Sequence, residues 1–323
     1  MKKHWLMLAL GAVLGGSSLA AFTPKAPECI APAGAGGGWD LTCRSVAQLM
    51  FDLKIVPQPF KVTNVTGAGG GVAYANVVTQ RGDDANLLVA ASPATTVRLA
   101  QGQFSQFTER DVRWLGAIAA DYGVVAVKAD APYKTMADLV AAWKADPSKI
   151  AVGGGSAVGG QDHMKVLLLG RAAGIQPRAI KYVPFDGGGQ AITSLLGGFI
   201  QVFAGDASEL RGQVEGGTVR VLAVMAPRRL AAPYAGVPTA KELGYNVDWV
   251  VWRGFYVPKN MPEEAYNFWL NALRRVARSP EWAKFREQNS LGEFVSLGAE
   301  FQVFIDRQVS QFRNLSKELG IIK

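Results

Sequence analysis

Histidine is almost missing from this chain. Of its 323 residues two are histidine, and His4 lies in an N-terminal stretch expected to be removed, which leaves His163. No H-E-x-x-H, C-x-x-C or G-x-S-x-G occurs, so the sequence marks of zinc peptidases, dithiol oxidoreductases and serine hydrolases are lacking. Ser156 and His163 stand seven residues apart, but the only acid to orient such a pair is the adjacent Asp162. A structural polar residue at a helix start is the simpler role for His163. After the first twenty residues no apolar run approaches the ~18 residues that span a bilayer. Basic runs are absent too; Arg228-Arg229 and Arg274-Arg275 are isolated pairs, and no groove-reading motif is present, so nucleic acid is not an expected partner.

What is present begins with an export signal. Lys2 and Lys3 precede the apolar stretch Trp5 to Leu14, and Ser18-Leu19-Ala20 fits the small-x-small cleavage rule. Residues 1–20 are therefore expected to be a signal peptide, with an uncleaved anchor as the alternative, and the mature chain a soluble periplasmic monomer. Loss of Lys2 and Lys3 leaves 32 basic and 26 acidic residues, a net of +6, which suits weak attraction of anions. About 300 mature residues exceed what one core usually organises, so two domains are expected. The two cysteines, Cys29 and Cys43, are in an exported chain where a disulfide can form. A metal pair is the rival, but two thiols with no nearby histidine make a poor site.

The stretch from Cys29 to Cys43 reads as a strand end, a glycine turn and a helix start. Such a turn presents backbone N–H groups and the positive end of the helix dipole, the parts of an anion site. One glycine turn is uninformative, since most only reverse the chain. Here small-residue turns follow strands at 34–38, 67–71, 91–92, 153–160, 186–189 and 205–208, three in each half. Hydroxyls at Thr66, Ser92, Thr95, Ser156 and Ser208 offer further donors. Asp40 lies in a first helical turn with Arg44 four residues on, which suits capping better than contact with an anion. A dinucleotide site is disfavoured. In Gly67-x-Gly69-x-x-Val72 the third small residue is valine, and the next strand ends in Ala90-Ala91-Ser92 where an acid is needed.

Val112–Ala119 and Gly123–Lys128 read as a strand leaving one lobe and a strand entering the next. Arg228–Val237 is a proline-rich connection, Asp248–Val257 a strand, and 262–278, 280–289 and 298–319 close the chain as helices. Strand–turn–helix alternation means a mainly parallel sheet with ligands at the C-terminal strand ends.

Together these segments resemble one family. The markers are Pro32-x-x-x-Gly36-Gly-Gly-Trp-Asp40, Asn64-Val-Thr-Gly-Ala-Gly-Gly70, Val125-Ala-Val-Lys-Ala-Asp-Ala-Pro-Tyr-Lys-Thr135, Gly159-Gly-Gln-Asp-His163, Leu195-Leu-Gly-Gly198, Val221-Leu-Ala-Val224 and Val237-Pro-Thr-Ala-Lys-Glu-Leu-Gly244. Across essentially the whole mature chain they resemble the extracytoplasmic receptors of tripartite tricarboxylate transporters, the Bug receptors. The cysteine pair and Arg253-Gly-Phe-Tyr256 resemble the citrate-binding branch.

The resemblance implies an α/β, two-lobed type II periplasmic binding protein (a Venus flytrap) that takes a small carboxylate, citrate or another tricarboxylate, and delivers it to membrane permease subunits. With the catalytic motifs lacking, no catalysis, cofactor or metal site is expected. Lobe 1 would be 21–123 with 226–323, and lobe 2 would be 124–225, with crossings near 121–126 and 224–228. The implied ligand residues are Gly37, Gly38, Trp39, Gly69, Gly70, Ser92 and Thr95 in lobe 1. In lobe 2 they are Ser156, Gly160, Gln161, Gly187 and Asp206. Two departures stand out: Gln161-Asp162 where many relatives carry serines, and Phe185-Asp186 where many carry a tyrosine or basic residue. Asp186 would better accept a hydrogen bond from a ligand hydroxyl than face a carboxylate. Trp249 and Trp252 are expected to pack in the core or hinge. The rivals are a secreted enzyme using the same cleft and a sensor receptor without transport.

Overall fold

The computed structural model describes residues 22–323, so the expected signal peptide lies outside the described residues. The chain opens with β1 (Glu28–Ala31), α1 (Gly38–Asp52), β2 (Lys61–Asn64), α2 (Gly71–Gln80), β3 (Leu87–Ala91) and α3 (Pro93–Ala100). Strand β3 is buried throughout, as its unbroken apolar run requires. Ser92 caps α3 by accepting the Ala94 N–H, and Pro93 takes the first helical position, where its missing N–H costs nothing.

Next comes β4 (Val112–Lys128), a single strand of 17 residues. The polar break at 120–122, expected to separate two strands, does not interrupt it. Asp121 is buried there by ion pairing and Tyr122 continues the ladder opposite Val250. The chain then forms α4 (Met136–Ala145), β5 (Ala151–Gly154), α5 (Gln161–Ala172), β6 (Lys181–Pro184), α6 (Gly188–Leu196), β7 (Val202–Phe203), α7 (Ala207–Glu215) and β8 (Val219–Met225). It ends with β9 (Val250–Pro258), α8 (Glu263–Ala277), α9 (Pro280–Gln288), β10 (Ser296–Leu297) and α10 (Gly298–Glu318).

The strands follow the order β2-β1-β3-β9-β4-β7-β5-β6, with β8 and β10 pairing on β4. Parallel pairing holds in the outer triplets β2-β1-β3 and β6-β5-β7. The pairs made by β4 and β9 are antiparallel, because these long strands carry the chain across the molecule. Residues 112–122 of β4 pair with β9, and 123–128 pair with β8, so one strand belongs to both lobes.

The return passage differs from the expected 224–228. Trp249 donates its N–H to Met225 O (2.8 Å) and accepts the Gly123 N–H (3.2 Å), so the chain crosses back at 249–250. Residues 226–249 stay on the second lobe. Tyr234 is fully buried there among Val124, Val224 and Leu210 and donates its hydroxyl to Ala207 O (2.5 Å). A proline-rich connection without periodicity conceals such packing in a sequence. Val247 and Trp249 extend the same lobe's core, with Trp249 stacked on Phe312. Trp252 is buried in the first lobe, with its indole N–H donated to Gln308 Oε1 (2.9 Å). Among the described residues no helix is long and apolar enough to cross a membrane.

Candidate functional site

The sheet topology brings the C-terminal ends of β1, β2 and β3 opposite those of β5, β6 and β7. Between them lies a cavity of about 400 Å³ lined from both lobes. Gly37, Gly38, Trp39, Gly69, Gly70 and Ser92 line it from the first lobe, and Ser156, Gly160, Gln161, Gly187 and Asp206 from the second. Thr66 and Asp186 also line it. Thr95 does not; it is buried inside α3. Ser208 is likewise spent elsewhere, donating its hydroxyl to Asp121 Oδ2 at 2.5 Å.

The first wall is made of backbone. Helix α1 begins at the cavity, with Gly37 as an extended cap that has no side chain of its own to bond the N–H groups of the first turn. The disulfide Cys29–Cys43 joins β1 to the second turn of this helix, Cα to Cα 5.8 Å. Trp39 donates its indole N–H to Ser92 Oγ (3.1 Å), which fixes the ring across the wall. Gly70 has φ of +96°, and a Cβ there would meet the Trp39 ring at 3.3 Å. Only glycine holds that backbone direction without strain. Asp40 is turned away from the cavity, accepting from Gly36 N–H, Arg44 and Asn64 at 3.0 Å each. Those bonds outweigh its burial and hold its carboxyl below the usual range.

The second wall stands on buried charge. Arg253 on β9 donates to Asp121 Oδ2 (2.5 Å) and Asp206 Oδ2 (2.8 Å). Lys165 on α5 meets the other oxygen of Asp206 (2.5 Å) and Asp162 (2.7 Å). Burial opposes ionisation of Asp206, but Lys165 and Arg253 outweigh it and hold that carboxyl below its usual range. Asp121 and Asp162 are raised by burial, which their single cations offset only in part. Glu209 adds a fourth acid. Burial and the neighbouring Asp206 and Asp162 push it up to about 8, so it carries a proton at neutral pH. Its Oε1 accepts the Gly38 N–H from the opposite lobe (3.1 Å), and its Oε2 accepts the Asp206 N–H (3.1 Å). A Cβ at Gly38 would lie 2.0 Å from Arg253 Nη1, so glycine is what lets the guanidinium lie against the start of α1. Among the described residues no group of acids, histidines or cysteines is arranged to hold a metal ion.

Asp206 was expected to touch ligand. It lines the cavity, yet both its carboxylate oxygens are held in ion pairs, so its own work is to fix Arg253 and Lys165. Arg253, Glu209, Asp162 and Arg98 line the cavity without having been expected there. Nothing in a sequence tells a buried charge from a solvated one; the only sign was Arg253 within an otherwise apolar strand.

Ser156 and His163 do not form a nucleophile–base pair. The Ser156 hydroxyl accepts the Asp162 N–H (3.0 Å), and His163 Nδ1 accepts the Gly159 N–H (2.9 Å). The imidazole stacks on Tyr182, and burial lowers its pKa to about 4, which keeps it neutral.

The two lobes also touch around the cavity. Gly34 N–H donates to Asp186 O (3.0 Å), Arg98 Nη1 to Val158 O (2.9 Å) and Gln101 Nε2 to Gly159 O (2.7 Å).

Known proteins share this fold. The chain is 26% identical to the protein BugT of Bordetella pertussis over 74% of this chain and 72% of that one. The structure of the periplasmic binding protein BugD superposes with a TM-score of 0.84 at 21% identity, covering 93% of this chain and 99% of that one. MatC of Rhodopseudomonas palustris, solved with bound malate, superposes with a TM-score of 0.78 at 18% identity, covering 90% and 98%. These establish an α/β periplasmic binding protein fold. Residues 43–321 match the model of the tripartite tricarboxylate transporter family receptors, and the chain belongs to that family of transport receptors, which are not enzymes.

Proposed function

We propose that this protein captures a small di- or tricarboxylate, citrate or a close analogue, in the periplasm and hands it to the membrane permease subunits of a tripartite transporter. A cleaved signal peptide at residues 1–20 is part of the proposal. The observation that carries it is the first wall: the start of α1 and the Gly67–Gly70 turn line one cavity, and a helix start beside a glycine turn is the backbone arrangement that suits a carboxylate. The malate held by MatC, a protein of the same fold, agrees with a ligand of this class. Glu209 and Asp186 suit the hydroxyl of a hydroxy acid, Asp186 by accepting from it and Glu209, protonated, by donating to it.

The closing units in this reading are 22–122 with 250–323, and 123–249, hinged where β4 passes between lobes and at 249–250. Ligand that touches both walls is held fully only when they are together, so binding shifts the population toward closure.

The test is the melting temperature of the mature protein against citrate, malate, succinate, adipate, acetate and NAD. A ligand at 100 times its Kd stabilises the folded state by about 2.7 kcal/mol. Stabilisation by a di- or tricarboxylate is expected. A response to NAD with flat responses to every carboxylate would sink the proposal.

A further inference from the structure

Arg98 on α3 is a buried cation that makes no ion pair among the described residues. Its side chain lines the cavity and the residue is 9% exposed. The guanidinium donates only to neutral oxygens: Gln101 Oε1 (3.2 Å), Val158 O (2.9 Å) and Gln103 Oε1 (3.2 Å). Its Nε is buried and has no partner among the described residues. That atom lies 3.4 Å from where a Cβ on Gly69 would stand, so it faces the glycine turn of the first wall. Arg253, the other guanidinium of the cavity, is neutralised by Asp121 and Asp206. Burying a charge without a counter-ion is costly, and burial alone lowers the pKa of Arg98. A guanidinium presents a rigid fork of donors that matches a carboxylate.

We propose that Arg98 is the specificity-determining residue that counts charge: it pairs with a second carboxylate of the ligand, beside the Gly69 turn, and thereby selects di- and tricarboxylates over monocarboxylates. This deepens the carboxylate proposal and rests on it. Because Arg98 also holds Val158 O of the opposite lobe, a ligand that engages it reinforces the contact that keeps the walls together.

The experiment separates charge reading from clasping. Wild type, Arg98→Gln and Arg98→Lys are titrated by calorimetry with malate, succinate and adipate, each beside its monoamide, and with citrate beside the diamide that keeps a single carboxylate, after melting curves confirm folding. Wild type prefers the acid over its amide by about 10- to 100-fold, the range of a charged hydrogen-bonded contact. In Arg98→Gln the preference falls to within a few-fold, and Arg98→Lys keeps a good part of it. A role confined to holding Val158 would weaken acid and amide alike and leave the ratio where it was; that result overturns the assignment. So does a wild type that binds acid and amide equally, while the carboxylate proposal stands. If wild type binds none of these compounds, the carboxylate proposal falls and this one with it.

Discussion

The two walls of the cavity are built by different means. The first is backbone: a helix start, a glycine turn and an indole locked by Ser92. The second is a scaffold of ions, in which Lys165 and Arg253 share Asp206 and each takes one further aspartate. Backbone N–H groups are fixed by the fold, carry no side-chain entropy to lose, and recognise any carboxylate. Buried ions hold neighbours at set positions, but each depends on its partners, because an uncompensated buried charge is expensive. The first wall is therefore suited to anchoring a ligand and the second to setting the geometry that meets it. The lone guanidinium of Arg98, on the side of the anchor, is the exception that invites a charge from outside.

Breaking each wall should have a distinct signature. The largest effect is expected from Asp206→Ala, which strips a partner from both Lys165 and Arg253 at once. Loss of one member of a buried ion pair costs about 3–5 kcal/mol, to be read as a lower melting temperature and denaturant midpoint. Gly70→Asp attacks the other wall. It puts an L-residue at φ of +96°, against Trp39, and a negative charge among the anchoring amides. Carboxylate binding should be lost in calorimetry, by ~100-fold or more for a like charge added to a charged contact, while the protein still folds. Unchanged affinity would place the anchor elsewhere.

Cys43→Ser comes next. Opening the 15-residue loop between Cys29 and Cys43 removes about 3 kcal/mol in the chain-entropy model. Because that disulfide ties α1 to β1, carboxylate affinity should fall too. A lower melting temperature with unchanged affinity would make the staple purely structural.

The smallest effect concerns pH. Glu209 has an ordinary value of 4.5 and is pushed up to about 8 in the folded protein. A raised folded pKa means that its contribution to stability is full below pH 4.5 and is lost as pH rises through 8. His163 works the other way: lowered from 6.5 to about 4, it removes stability as pH falls through that window. Between pH 6.5 and 8 the Glu209 trend is therefore free of His163. Melting temperature in that range should fall more steeply for wild type than for Glu209→Gln; parallel curves would show Glu209 already ionised.

The same contrast explains what could be read from the sequence. The first wall was legible because its chemistry is written locally. Glycines between a strand and a helix say where N–H groups are exposed, and Ser92-Pro93 says where α3 starts. The second wall was not. Its members come from positions 121, 162, 165, 206, 209 and 253, which only the topology of β4 and β9 brings together. Thr95 was misplaced for a related reason: it lies three residues from Ser92, but the turn of α3 carries it into the interior. The return passage at 249–250 was concealed because residues 226–249 pack on the second lobe without regular structure.

The claim that the backbone wall anchors the ligand is tested most directly by amide hydrogen exchange of the mature protein with and without a saturating carboxylate. Protection should rise most in residues 34–39 and 66–71, with a second rise in 155–161 as the opposite wall meets them. Protection confined to other segments, with exchange at 34–39 and 66–71 unchanged, would contradict it.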